Sequence, residues 1–176
     1  MTEERVNIED QLLVMDAQDG DRKAMEQLVG RWQKRLWQHA YRMTCDQQGA
    51  WDITQQTWYD IIRKLRKLHD PAKFKAWAYK ITTCKSIDWI KKKNKSRQRQ
   101  IDTFDIFPAV SQDEIGLKEL MNKLTIAKKA VLSLYYFEQL SIPEISMVMK
   151  IPTGTVKSRL HNARSELKEL WLNMEK

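Results

Sequence analysis

Ten residues near the C-terminal end carry the side chains best suited to reading nucleic acid. Thr155, Lys157, Ser158, Arg159, His161, Asn162 and Arg164 all lie between positions 155 and 164. Lysine and arginine neutralise phosphates, whereas serine, histidine and asparagine can donate and accept hydrogen bonds at base edges. At about 100° per residue, Val156, Leu160, Ala163 and Leu167 share one helix face, and Ser158, His161, Asn162 and Ser165 point the opposite way. Lys157 and Arg164 flank one side of that front; Thr155 and Arg159 flank the other. An apolar back with a basic, hydrogen-bonding front suits a helix that lies in a DNA groove. An ordinary helical hairpin with a solvated charged face gives a similar pattern.

The residues before this helix supply the element that would position it. Ser141 and Glu144 have the spacing of a capping box, and Pro143 fits a first helical turn. Ile142, Ile145, Val148 and Met149 then recur at helical spacing. Ile151-Pro152 ends that helix, because a residue before proline is pushed out of the helical region. Thr153 is the expected cap of the next helix, and Gly154 permits a close approach or an unusual backbone angle. Two short helices around a tight turn make a helix-turn-helix.

The chain has 176 residues, with 31 lysines and arginines against 23 acids, a net charge of +8 and a pI near 9.5. Such a balance favours a polyanionic partner. No apolar run is long enough to span a bilayer and no signal-peptide pattern is present, so a soluble, cytoplasmic protein is expected. Cys45 and Cys84 are the only cysteines. They read as reduced thiols, and with His39, His69 and His161 they form no metal-ligand spacing. No metal or cofactor is expected. The sequence has no paired carboxylates, nucleophile triad or Gly-x-x-x-x-Gly-Lys loop, and an enzyme is not expected.

Taken in order, the chain reads as nearly all helix. Leu12, Leu13, Met15 and Ala17 lead to a break at Asp19-Gly20-Asp21, where Asp21 can cap the following helix. That helix carries Ala24, Met25, Leu28, Val29 and Trp32, continuing through Leu36, Trp37, Ala40, Tyr41 and Met43. Cys45–Gly49 reads as a turn. Ile53, Thr57, Ile61, Leu65 and Leu68 then form an apolar line, with Trp58 and Ile62 beside it. Asp52, Gln55, Gln56, Asp60, Arg63, Lys64 and Lys67 lie opposite, on a plain surface or a docking face. His69-Asp70-Pro71 breaks the chain again. Phe74, Trp77, Ala78 and Ile81 resume the helical spacing; Tyr79 and Lys80 lie off that stripe as contact candidates. Lys85–Arg99 is the most basic stretch, with Asp88 its single acid, and suits phosphate contacts. Around Pro108 the periodicity is lost and Asp102, Asp105, Asp113 and Glu114 appear, as in a linker. About twenty extended residues reach roughly 70 Å, about two turns of B-DNA. Helices resume at Leu117 and run through Leu120, Leu124, Val131 and Leu134 to Tyr136 and Phe137.

Two basic helical modules joined by a linker, the second a helix-turn-helix, resemble a bacterial RNA polymerase sigma factor, and most closely the extracytoplasmic-function (ECF) group. The most specific match is Gly154–His161 with Ala163-Arg164. Tyr136–Ser141 and Glu144-Ile145 match the family's second domain. Asp52–Gln55 and Thr57 resemble its polymerase-binding helix; Phe74, Trp77, Tyr79, Ile81, Ile87 and Asp88 resemble its promoter-melting segment.

The resemblance implies an all-α fold of two small helical domains joined by a flexible linker. The expected division is 1–96 (sigma region 2), 97–116 (linker) and 117–176 (sigma region 4). It implies that Asp52, Gln55 and Gln56 dock on the β′ clamp helices of core RNA polymerase, with the β subunit a further contact. Tyr79, Lys80, Thr82, Thr83, Cys84, Lys85, Lys91, Lys92 and Lys95 are implied at the promoter −10 element, with Thr82–Lys85 in a loop that captures a flipped base. Thr155, Lys157, Ser158, Arg159, His161, Asn162 and Arg164 are implied at the −35 element. An anti-sigma factor is an implied partner, as is a regulon answering stress or envelope signals. Cys84 stands where the family usually has Asn, Asn162 where it often has Arg, and Trp51 and Gln56 where it has acids. A stand-alone helix-turn-helix regulator and an RNA-binding protein using Lys85–Arg99 are the competing expectations.

Overall fold

The computed structural model describes residues 3–99 and 112–174. All the regular elements among them are helical: α1 (Glu3–Asp19), α2 (Arg22–Thr44), α3 (Gln47–Lys64), α4 (Phe74–Arg99), α5 (Gln112–Lys123), α6 (Ile126–Leu132), α7 (Ile142–Met149) and α8 (Thr153–Met174). Two short 3-10 turns, Leu65–Lys67 and Pro71–Lys73, join α3 to α4, and a wide π-type turn over Ser133–Phe137 follows α6. The fold is all-α, as the helical periodicities predict.

Local chemistry sets the boundaries. Gly20 takes a φ of +102°, a left-handed angle that glycine tolerates at no steric cost, and so lets α1 turn into α2. Asp21 then caps α2 by accepting from the amides of Lys23 and Ala24. Asp46 caps α3 through the Gly49 amide at 2.7 Å. The turn expected over Cys45–Gly49 is therefore only two residues long. With the cap satisfied at Asp46, Gln47–Gly49 already form the first turn of α3.

Helices α1 to α4 bury Val14, Leu28, Trp32, Leu36, Ile61, Phe74 and Tyr79. Helices α3 and α4 come so close that a Cβ on Gly49 would lie 2.4 Å from the Trp89 ring. Helices α6 to α8 bury Val131, Leu134, Leu140, Ile145, Val156, Leu160 and Ala163. The two halves share one contiguous apolar cluster, and α4 packs directly against α7.

The helical segments reach into the span expected as linker, since α4 runs to Arg99 and α5 begins at Gln112. Lysine, arginine and glutamine are good helix formers, and Asp113 and Glu114 suit a helix N-terminus, so neither end has a reason to stop sooner. The rest of the expected linker, including Asp102, Asp105 and Pro108, lies outside the described residues.

Candidate nucleic-acid interface

The helix-turn-helix assembles as its residue pattern requires. Ser141 caps α7 in a full capping box with Glu144, and Pro143 occupies the first turn. Lys150 closes α7 in the left-handed region at φ 53°. Ser146 Oγ donates to the Ile151 carbonyl at 2.5 Å, fixing the turn. The unusual backbone angle expected at Gly154 thus falls at Lys150. Gly154 itself is helical, and an added Cβ there meets nothing within 4 Å. Thr153 is the first residue of α8 rather than its cap. Val156, Leu160 and Ala163 form the buried back of α8, and cutting Leu160 to alanine should cost about 2–5 kcal/mol. Lys157, Ser158, His161, Asn162 and Arg164 are exposed, while Thr155 and Arg159 are half-buried at the flanks. The polar front of α8 therefore stands free.

Helix α4 distributes its candidates differently. Thr82–Lys85 lie in mid-helix, not in a loop. Thr82 and Thr83 are buried, and Thr82 Oγ1 spends its proton on the Ala78 carbonyl at 3.0 Å. Tyr79, expected off the apolar stripe, is buried edge-on against Trp32 and His39. These three side chains face the core because α4 is packed by α2, α3 and α7 at once, which leaves it a narrower free face than a surface helix has. Cys84 is exposed and Lys80 half-buried. Lys85 pairs with Asp60 at 2.8 Å, and Lys64 pairs with the same carboxylate at 3.0 Å. Hydrogen bonds from these two lysines hold the Asp60 carboxyl below the usual carboxylate range. Lys93 pairs with Asp46 at 2.6 Å and lies over the Trp89 ring. Lys91, Lys92 and Lys95 remain exposed.

The resemblance implied a loop at Thr82–Lys85; those residues are helical, and the break in the chain lies between α3 and α4. There a surface cavity of about 380 Å³ is lined by Lys64, Lys67, Leu68, His69, Asp70, Lys73 and Trp77. The His69-Asp70-Pro71 break was the signal for it. Asp70 caps the Pro71–Lys73 turn through the Ala72 amide at 3.0 Å, so the chain folds back and leaves the hollow beside Trp77.

On α3, Asp52, Gln55 and Gln56 are exposed, and Asp52 accepts from Gln48 at 3.2 Å. Trp51, Tyr59 and Ile62 share the outer side, with Tyr59 61 % and Ile62 56 % exposed. Large apolar side chains left in water on one helix favour a docking face over a plain solvated one. Ile62, expected beside the buried line, belongs to this face.

Residue spacing gave no hint of a polar network where the halves meet. Glu138, at the end of the π-type turn, is buried. It receives His39 Nδ1 at 3.2 Å and the guanidinium of Arg42. A carboxylate only accepts, so the proton of this pair sits on Nδ1. His39 Nε2 lies 2.8 Å from Thr83 Oγ1, and Ser133 Oγ lies 3.2 Å from Nδ1. Burial alone would raise the Glu138 pKa; the hydrogen bond and charge of His39, with Arg42 and Tyr79, outweigh it and hold the group at about 2. Burial, with Glu138 nearby, pushes the Tyr79 hydroxyl well up. Lys129 is buried at the same seam and donates to Asn122 at 2.8 Å; burial pulls its pKa down.

Comparison with known families agrees with this layout. The sigma-70 region 2 family matches residues 28–96, and the sigma-70 region 4 family matches residues 115–167. The chain belongs to the sigma-70 family, in its ECF group. Among curated relatives it is 29% identical over 170 residues to the ECF RNA polymerase sigma factor SigE of Mycolicibacterium smegmatis, covering 89% of this chain and 65% of that protein. The chain thus spans just under two thirds of that relative. It is 28% identical over 177 residues to the ECF sigma factor SigW of Bacillus subtilis, covering 89% of this chain and 93% of that one. Its fold is similar to that of CnrH, solved in complex with the cytosolic domain of CnrY, with a TM-score of 0.75, 24% identity and coverage of 96% and 99%. It is also similar to the sigma factor RpoE of Bartonella quintana, solved with the anti-sigma factor NepR, with a TM-score of 0.72, 23% identity and coverage of 85% and 97%. As a sigma factor the protein directs core RNA polymerase to promoters and is not itself an enzyme; the stand-alone regulator is set aside. Among the described residues no helix is long and apolar enough to cross a membrane.

Proposed function

We propose that this ECF sigma factor works through three separate surfaces. The free polar front of α8, backed by buried Val156, Leu160 and Ala163, is the observation that carries the reading. Thr155, Lys157, Ser158, Arg159, His161, Asn162 and Arg164 enter the major groove of the −35 element. Asp52, Gln55 and Gln56 dock on the β′ clamp helices of core polymerase, with Trp51, Tyr59 and Ile62 adding apolar area; a further contact reaches the β subunit. The exposed charges and apolar groups on α3 support this.

At the −10 element, the cavity beside Trp77 takes the flipped base. Its size, its lysine lining and its aromatic wall support that role, since a base can stack on the ring while lysines hold its phosphates. Lys80, Cys84, Lys91, Lys92 and Lys95 line the strand's path, with Lys85 joining once freed from Asp60. Tyr79, Thr82 and Thr83 shape that helix from within. The working division is 1–96 for polymerase and −10 binding, 97–116 for the connector and 117–176 for −35 binding. The protein acts in the cytoplasm, under an anti-sigma factor, on a regulon answering stress or envelope signals. The similar fold of RpoE, solved with the anti-sigma factor NepR, supports the inhibitor.

Run-off transcription with core polymerase tests the reading. A promoter-specific product is expected with the full chain and none with core alone. Alanine at Lys157, His161 and Asn162 together should remove most of the use of the −35 element. If it does not, α8 is not the −35 reader.

A further inference from the structure

We infer that Asn162 makes this sigma factor select an adenine within its −35 element, an inference that rests on α8 being the −35 reader. The exposed side chains on the outer side of α8 include Lys157, Ser158, His161, Asn162, Arg164 and the single hydroxyl of Ser165. They are not equivalent. The Ser158 hydroxyl is committed to the Thr155 carbonyl at 3.1 Å, and Arg164 Nε to the Leu160 carbonyl at 3.3 Å. Lys157 is a donor-only point charge, suited to a phosphate. A His161 ring presents one nitrogen at each of two divergent edges and cannot make a paired contact to one base. The Asn162 side chain has no hydrogen bond to any described residue and is exposed. Its amide alone offers a donor and an acceptor side by side in one plane. The adenine major-groove edge offers the complement, with N7 accepting and the N6 amino group donating.

Position along the helix agrees with this. Asn162 lies one turn beyond Ser158, about 6 Å along the axis, and about 50° from the direction opposite the buried Val156–Leu160–Ala163 face. A helix seated on that buried face keeps Asn162 within reach of the groove floor, while Lys157 and Arg164 share one flank and face a phosphate wall. A guanine has no donor in the position the amide oxygen needs, and thymine and cytosine offer single groups. The same asparagine used on a phosphate would carry no base preference.

The test uses holoenzyme assembled from core polymerase and the full chain, on a duplex library randomised over the −35 region. Bound templates are sequenced. With the natural chain, one position should show adenine, or thymine on the other strand, favoured roughly five- to a hundredfold. Asn162→Ala should flatten that position alone. Asn162→Gln should retain adenine, because glutamine makes the same paired contact, and Asn162→Arg should move the preference to guanine. Uniform weakening of all templates by Asn162→Ala, with every base preference kept, overturns the inference in favour of a phosphate contact. Lys157→Ala separates the underlying reading: if it too leaves all −35 binding untouched, α8 is not at the DNA and both ideas fall. If Lys157→Ala weakens binding but Asn162→Arg shifts no base, only the adenine assignment fails.

Discussion

Helices α4 and α8 carry similar side chains and present them in opposite ways. Both are long, basic and rich in hydroxyl groups. On α8 the polar front is in water and the apolar back meets α5, α6 and α7 on one side. On α4, Tyr79, Thr82, Thr83 and Ser86 are buried, and Lys85 and Lys93 are held by Asp60 and Asp46. The difference follows from packing: α4 is the spine for both halves, touching α2 and α3 of the first and α7 of the second. In the free chain the polar front of α8 is therefore open, while α4 shares its side chains with the seam. Thr83 and Tyr79 both touch the His39–Glu138 network. Any release of the second half changes the surroundings of α4 and leaves the front of α8 as it was.

Glu138→Ala should break that contrast most strongly. It strands His39 and Arg42 without their acceptor, and loss of one partner from a buried pair costs about 3–5 kcal/mol. Hydrogen exchange along α4 should rise on the order of a hundredfold or more, with the first turns of α8 little changed. Equal protection of both helices before and after would mean that the seam does not hold the halves together.

Acid should sharpen the same contrast with a defined sign. Glu138 lies at about 2 in the folded chain, below the ordinary carboxylate value of 4.5. A depressed carboxylate contributes stability above its unfolded pKa and loses it as pH falls toward the folded one. Seam closure should therefore weaken between about pH 4.5 and 2. Glu138→Gln removes this titration, so its stability difference from the natural chain should shrink across that window. Paired denaturation curves at each pH provide the measurement, and an unchanging difference would contradict the network's role.

A weaker effect is expected at the cavity. Trp77→Leu keeps an apolar side chain against Phe74 but removes the flat ring. Stacking of one base is worth about 1–3 kcal/mol, so opening at −10, followed by permanganate footprinting, should fall by that margin. Binding to a −35 duplex should not follow it. Parallel loss of both would make Trp77 a packing residue of the whole chain.

Local patterns are legible in the sequence. The capping box of Ser141 and Glu144, the Asp21 cap and the apolar back of α8 depend on neighbours three or four residues apart, and all are found. Contacts between distant partners are not legible there. Tyr79 looked off-stripe because a helix packed on two sides buries residues outside a single apolar stripe. Glu138 and His39 are 99 positions apart, and nothing in their neighbours foretells the contact. Thr82–Lys85, expected as a loop, are helical; the resemblance located a role, not a backbone break. The His69-Asp70-Pro71 break, visible from composition alone, was the better guide to the cavity.

The smallest expected effect tests the open side. Lys157 is exposed on α8, takes no part in the seam network, and its ammonium suits a phosphate at the edge of the proposed −35 groove. Lys157→Ala should lower affinity for every promoter alike, by roughly 1 kcal/mol, and reduce the slope of log affinity against log salt by about one phosphate contact. Its stability should match that of the natural chain, since no buried group loses a partner. Because α8 is open whether or not the seam is closed, the Lys157→Ala effect should add to that of Glu138→Ala without coupling. A holoenzyme titration of both single variants and the double variant decides it. Strong coupling would mean that the front of α8 feels the seam after all, and that the two helices are not independently presented.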